Sequence, residues 1–588
     1  MNSEGKDTKE PCFTQNNYQS DDQIVIALDF GTTFSGIAYA YAIKDKPEIV
    51  TILDWPGLEG HRQPKVPTVI CYDPENASGF TWGAQNHKRE VIRGMKLLLD
   101  PAQNMPVYLP ASGTNNDLKV LGKSALDIAA DFIGAIYKHA MTVIEGEIPK
   151  EYLDMCQKQF VLSVPAVWSD KAKDLTLKAA KRAKIHPVTL IKEPEAAALY
   201  TLQTLKDQAL AVGDAFIICD AGGGTVDLIS YEITQLTPKL DLKELVPGKG
   251  GMAGSLGLNR RFEEAVKELV GEDQFYALRR TRGFAHAVEQ FDLRVKTAFR
   301  GNEEEDYLMN FPMVNLQDNK SKNLVSSCWV MKCDDLKKIF DPLITDIERL
   351  VDEQVNLVKV KRMSEDHPKA TEIKGIFLVG GFGSSGYLKS RIGACHPTIQ
   401  IIQPHDAWSA IVQGAVLSGL PRKTGGISII STQSTRHYGV VGRSLYDEEK
   451  DRGRPKTVDC YGDTRTSTMT WYIHRGEDLG RDQKLKFPFY RTIEGAITNS
   501  ALIFREHLLQ CESTAAPVYP GITIKQNCIL TADLSGVDRS TFKQRTSVRG
   551  TPCWDVHYDL VVTVSSAVMK FSLEIKGKEI GSVEAKYD

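Results

Sequence analysis

The chain has 588 residues, too many for one ordinary domain and enough for three or four units of roughly 150 residues each. Apolar residues make up 42% and charged residues 25%, the balance of a soluble globular protein, and a net charge of -3 excludes a global preference for nucleic acid or an anionic membrane surface. No stretch approaches the ~20 apolar residues of a membrane-spanning helix, so no nucleic-acid or membrane partner is expected.

The polar head, residues 1–22, lacks the apolar core of a signal peptide and is expected to be a disordered tail. The 11 Cys are scattered without a Cys-x-x-Cys pair, which fits reduced thiols in a cytoplasmic protein. The apolar run Ile24-Val25-Ile26-Ala27-Leu28 predicts a strand that delivers Asp29 into the turn Gly31-Thr32-Thr33, and Ser35 to Ala42 predicts a second strand. Strand, tight turn, strand is neither a P-loop nor a Rossmann turn, both of which lead into a helix. A glycine turn lets backbone N–H groups face phosphate oxygens; alone, it reads first as an ordinary hairpin.

Asp127 to His139 and Asp170 to Lys184 have helical spacing, with Ser169 or Asp170 suited to the N-cap of the second. The segment Ile191-Lys192-Glu193-Pro194-Glu195-Ala196-Ala197-Ala198 predicts a helix with Pro194 in its first turn. Packing explains the alanines but leaves Glu193 unexplained, at a helix start where polar ligands gather.

A second strand-turn-strand unit changes the reading of the first. Phe216-Ile217-Ile218-Cys219 ends in Asp220, the turn Gly222-Gly223-Gly224-Thr225 follows, and Val226-Asp227-Leu228-Ile229 leaves it. Three consecutive glycines weaken a strand unless backbone must bend or approach something closely. Two such units suggest a duplicated half-domain closing on one ligand. If Asp29, Glu193, Asp220 and Asp227 converge, each pair at ~4 Å repels by ~4 kcal/mol at an effective dielectric near 20. A polyphosphate worsens this and a hydrated Mg²⁺ relieves it, so the constellation reads as a Mg-nucleotide site.

Farther on, Gly375 to Val379 predicts a strand, and Gly381-Phe382-Gly383-Ser384-Ser385-Gly386 matches G-x-G-x-x-G, with Asp406 some twenty residues on. A Rossmann reading would leave both aspartate turns without a role, so this turn is read as meeting the adenosine end of ATP. Beyond Leu420 the character changes: Thr424-Gly425-Gly426 marks a boundary, and strand patterns dominate afterwards. In Val556, Tyr558, Leu560, Val562 and Val564, and again in Phe571, Leu573 and Ile575, apolar residues alternate as in half-buried strands.

Taken in order, Asp29-Phe30-Gly31-Thr32-Thr33, Val164-Pro165-Ala166, Glu193 to Ala198, Asp220 to Asp227 and Val379-Gly380-Gly381 resemble the nucleotide-binding domain of the DnaK-type, seventy-kilodalton heat-shock proteins. The resemblance covers about Gln23 to Leu420. It implies an α/β actin-like ATPase domain, a duplicated RNase H-like fold, over residues 23–424, followed by a β-rich domain over 425–588. It implies ATP or ADP and Mg²⁺ as cofactors, with Asp29 and Asp220 holding the metal through water and Asp227 supporting the same metal site. Glu193 and Asp220, with Lys96, would be catalytic, Glu193 orienting the attacking water. Nucleotide contacts would come from Gly31, Thr32, Thr33, Gly222, Gly223, Gly224, Thr225, Lys296, Gly380 and Gly381.

Departures place the chain with a divergent branch resembling the heat-shock 12A and 12B proteins. Ser384 and Ser385 stand where the family usually has an arginine, and its adenine-side Lys-Arg pair is reduced to Lys296 followed by Thr297. No Leu-rich acidic linker follows Leu420, and no helical lid pattern follows the β region. The expected function is an ATP-hydrolysing, chaperone-like protein that couples nucleotide state to an unfolded or partner protein on the β domain. The alternatives are a nucleotide-dependent scaffold or sensor with little hydrolysis, and a small-molecule kinase of the same fold, for which no acceptor base can be placed.

Overall fold

The computed structural model describes residues 22–42, 47–73, 79–85, 91–100, 122–205, 210–421 and 427–587. The expected tail up to residue 21 and the segment 422–426, on which the expected domain boundary falls, lie outside the described residues.

Strand β1 (Gln23–Asp29) is buried at every position after Gln23, as its unbroken apolar run requires of a strand covered on both faces. It pairs antiparallel with β2 (Phe34–Tyr41), which in turn pairs with β3 (Val50–Thr51) and β4 (Val66–Pro67). On its other side β1 runs parallel to β5 (Gln157–Val164), and β5 to β6 (Val188–Lys192). Helix α1 (Ala125–Glu147) starts at Ser124 with a reciprocal capping box to Asp127, and α2 (Asp170–Arg182) is capped by Ser169. Their apolar faces share one core with Ile24, Ile26 and Leu28.

The second sheet repeats this plan. Strand β9 (Leu240–Glu244) pairs antiparallel with β8 (Val226–Gln235), and β8 antiparallel with β7 (Ala215–Ala221). β7 is parallel to β10 (Gly375–Val379), and β10 to β11 (Gln400–Ile402). The order and directions match those of β3-β2-β1-β5-β6.

Between the sheets lie α3 (Glu193–Thr204) and a later helix, Ala410–Gly419, whose small residues share a core with Val25, Ala27, Ile218 and Phe377. A Cβ on Gly414 would stand 1.7 Å from the Ala196 carbonyl oxygen, so only glycine allows these helices to approach so closely. The alanine run 196–198 and Gly414 therefore set the spacing between sheets, and that spacing brings the aspartate-bearing ends of β1 and β7 to one cleft.

Past residue 427 the chain first adds to the second sheet. Strand β12 (Ile427–Gln433) runs parallel to β9 and pairs with the short strand Asp478–Gly480. The rest forms two antiparallel sheets. One holds Thr464–Ile473, His437–Leu445, Ile503–Cys511 and Ile524–Asp533 in that order; the other holds Lys484–Glu494, Pro552–Val564 and Met569–Ile575. Leu508, Cys528 and Leu530 of the first meet Val556, Leu560 and Phe571 of the second in a common core, the inward set that the alternating pattern marks. Among the described residues no α-helix follows residue 427, the described cysteines are free thiols, and no helix is long and apolar enough to cross a membrane.

Candidate functional site

The two aspartate turns face one another. A Cβ on Gly223 would stand 2.2 Å from the Thr33 hydroxyl oxygen, so the first turn's threonine packs directly on the second turn's bare backbone. The second turn is held from behind, where the Ser255 and Leu256 N–H groups donate to the carbonyls of Gly222 (3.1 Å) and Gly223 (2.9 Å).

The turns border a cavity of ≈ 360 Å³, within the range of small-molecule sites. Every site residue singled out from the sequence lines it except Asp227: Asp29, Lys96, Glu193, Asp220, Gly31, Thr32, Thr33, Gly222, Gly223, Gly224, Thr225, Lys296, Gly380 and Gly381. Asp227 stands behind, in register with Asp220 across the hairpin. Its Oδ1 accepts hydrogen bonds from the N–H groups of Ala166 (3.1 Å) and Val167 (3.3 Å). That contact gives the Val164-Pro165-Ala166 segment its role: it anchors the second hairpin to the first half of the molecule.

Charge is distributed unevenly. The Lys65 ammonium donates to Asp29 Oδ2 at 2.6 Å, and the Ser163 hydroxyl donates to Oδ1 at 2.7 Å. Burial alone would raise the Asp29 carboxyl, but Lys65, then Lys96, and these hydrogen bonds hold it below its ordinary value. Lys96 Nζ lies 2.5 Å from Glu193 Oε1 and 5.5 Å from the centre of the Trp168 ring. Burial nevertheless pushes Glu193 up to about 7, against Lys96 and with the help of Asp29 and Asp227. Asp220 is driven well above its ordinary value by burial, then by Glu193, Asp227 and Asp29. Asp227 is raised by burial, partly offset by the nearby Thr225 hydroxyl and by the N–H groups of Val167 and Ala166.

Asp220 Oδ1 and Asp227 Oδ2 are buried and have no hydrogen-bond partner among the described groups. Two orphaned carboxylate oxygens in a cluster of raised carboxyls have the chemistry that could hold a cation. Among the described residues no three His, Cys, Asp or Glu side chains form a ready metal-ligating group.

At the far end, Lys296 Nζ is engaged by Asp292 Oδ1 (2.5 Å) and Asn259 Oδ1 (2.9 Å). Leu293, Thr297, Ser384 and Ser385 line the wall there, and Trp408 and Phe34 also line the cavity, meeting edge to face at 5.4 Å. Sequence reasoning did not find Lys65, Gln63, Ser255, Trp408 or Phe34. The only signal for Lys65 is its setting in Pro64-Lys65-Val66-Pro67, a cation between prolines in an apolar stretch.

The C-terminal sheets touch this machinery. The Arg481 guanidinium pairs with Glu195, and the Ser566 hydroxyl donates to Glu195 Oε2 at 2.7 Å. Glu195 is fully buried two residues from Glu193 in the first turn of α3. Asp170 Oδ2, at the start of α2, accepts from Tyr438 (3.1 Å) and Asn527 (3.0 Å).

Residues 212–370 match a family model described as "Domain of unknown function (DUF8340)". Heat shock 70 kDa protein 12B of Homo sapiens is 25% identical over 520 residues, covering 72% of this chain and 72% of that protein. Heat shock 70 kDa protein 12A of Homo sapiens is 25% identical over 510 residues, covering 71% and 72%. A chaperone protein HscA homolog of Laribacter hongkongensis is 24% identical over 418 residues, covering 68% and 59%.

Proposed function

Because the chain is a divergent relative of the seventy-kilodalton heat-shock proteins and resembles the 12A and 12B proteins, we propose that it binds Mg-ATP, hydrolyses it, and couples nucleotide state to a protein partner. In this reading a duplicated RNase H-like domain of residues 23–424 holds the nucleotide, and the β-rich region of residues 425–588 holds the partner. One observation carries the proposal. Residues picked from six separate segments of the sequence, from Asp29 to Gly381, border a single cavity.

The glycine turns and the hydroxyls of Thr32, Thr33 and Thr225 would bind the phosphates, with N–H groups unobstructed by side chains. Asp29, Asp220 and Asp227 would hold a hydrated Mg²⁺, which supplies when bound the positive charge that phosphates and carboxylates together lack. Glu193, pushed up to about 7, is poised to orient water and take its proton near neutral pH. Lys96 keeps Glu193 in place and would offset the negative charge on the oxygens of the transferred phosphoryl group. The Arg481–Glu195 contact supports coupling, since it joins the β region to the helix turn that carries Glu193.

A second reading, a nucleotide-dependent scaffold with little turnover, is favoured by the capture of both Asp29 oxygens by Lys65 and Ser163. Phosphate release with and without a denatured protein separates the two. Stimulation by the denatured protein supports the chaperone-like ATPase; unchanged, near-zero release supports the scaffold.

A further inference from the structure

We propose that Lys65 is a phosphate-binding residue and the site's built-in counter-cation, so that this chain holds a nucleoside triphosphate even without a divalent metal. The inference rests on the nucleotide reading of the cavity and adds a residue that the sequence motifs do not contain.

Three observations lead to it. First, Lys65 is 5% exposed and lines the cavity, yet it is fixed there by the backbone around it. Val66 pairs with Ser35 and Pro67 with Phe34. The Thr68 N–H donates to the Thr33 carbonyl at 2.8 Å, and the hydroxyls of Thr68 and Ser35 are 2.8 Å apart. The segment carrying Lys65 is thus bolted to the first phosphate turn and moves with it.

Second, of the cavity's three lysines Lys65 is the one joined to the first phosphate turn, while the other two are placed by different partners. Lys96 is held by Glu193, and Lys296 by Asp292 and Asn259. An ammonium has three N–H bonds, and among the described contacts Lys65 gives one to Asp29. Its remaining donors are available to a phosphate oxygen beside the Gly31–Thr33 turn.

Third, Asp29 already has what a hydrated cation would give it. With Lys65 on Oδ2 and Ser163 on Oδ1, both of its oxygens accept a hydrogen bond. The carboxylate oxygens of the cluster without a hydrogen-bond partner among the described residues lie instead on Asp220 and, behind it, Asp227. An ammonium bridging Asp29 and phosphate repeats the electrostatic job of a metal on that side and cannot be removed by a chelator. Divalent ion then serves the Asp220 side and improves binding without being required for it.

The test is equilibrium binding of a fluorescent ATP analogue, followed by anisotropy, to the full chain in millimolar Mg²⁺ and in excess EDTA. Wild type is expected to lose less than about tenfold in affinity when EDTA replaces Mg²⁺. Lys65→Met is expected to lose a further tenfold to hundredfold in EDTA, roughly the worth of one charge-assisted hydrogen bond, and less in Mg²⁺. Because Lys65→Met leaves Asp29 buried without its partner, the double variant Asp29→Asn/Lys65→Met is measured beside it, with melting curves to establish folding; it too is expected to lose metal-free binding. Wild-type binding that vanishes in EDTA, or variants that bind as tightly as wild type in EDTA, would overturn the inference while leaving the nucleotide reading intact. Absence of binding under both conditions would overturn both.

Discussion

Asp220→Asn is expected to stabilise the nucleotide-free chain while weakening its response to Mg-ATP. Asp220 is 4% exposed, its Oδ1 has no hydrogen-bond partner among the described residues, and Glu193, Asp227 and Asp29 all act on it as like charges. One such pair at ~4 Å costs ~4 kcal/mol at an effective dielectric near 20. Protonation and relaxation relieve part of this, so a neutral side chain of the same shape recovers about 1–3 kcal/mol, a rise of several degrees in Tm. The sign with pH follows from the raised carboxyl. The folded chain holds a proton at Asp220 that the unfolded chain has released above its ordinary value of 3.8, so wild-type stability falls as pH rises from there through the raised value. Asn removes that slope. Its advantage is therefore smallest in acid and fullest above the raised value. Melting curves from pH 5 to pH 8, with and without Mg-ATP, measure both effects. A variant that melts below wild type at pH 8, or that shifts by the same amount at every pH, would refute the charge-strain argument.

Glu193→Gln is expected to lower turnover about hundredfold or more with nucleotide affinity little changed, and wild-type turnover should rise with pH through about 7 as Glu193 loses its proton; steady-state phosphate release against pH checks both. Arg481→Met strands the fully buried Glu195 and should cost about 3–5 kcal/mol, read as a lower denaturation midpoint, with turnover falling more than nucleotide affinity if the contact positions α3. Gly414→Val drives a side chain into the Ala196 carbonyl and should cost about 3 kcal/mol or more, seen as loss of soluble folded protein or a sharply lowered Tm.

The sequence made some features legible and hid others, for physical reasons. Strands β1 and β7 read clearly because both are buried on two faces and so are continuously apolar up to their aspartates. The caps at Ser124 and Ser169 read clearly because capping is local chemistry. Asp29, Glu193 and Asp220 could be grouped because each follows an apolar run or starts a helix where packing gives it no task. Lys65 could not, since its meaning is a contact across 36 residues of chain made only once β4 folds against β2. Asp227 could be grouped with Asp220 because the two are register partners across the hairpin, but the anchoring of its Oδ1 by the N–H groups of Ala166 and Val167 has no mark in local sequence. The continuation of the second sheet through β12 was equally hidden, because a parallel pairing with β9 leaves no mark in local sequence.

The central claim is that the cavity between the two aspartate turns binds Mg-ATP, and calorimetric titration of ATP with Mg²⁺ into wild type and Gly223→Val tests it most directly. Valine at 223 would collide with the Thr33 side chain and spoil the meeting of the turns without touching any charge. The account predicts saturable one-site binding by wild type, and a Tm gain worth about 2.7 kcal/mol at ligand a hundredfold above Kd, with both lost or strongly reduced in the variant. No heat and no shift in wild type at millimolar Mg-ATP, or equal binding by a folded Gly223→Val variant, would contradict it.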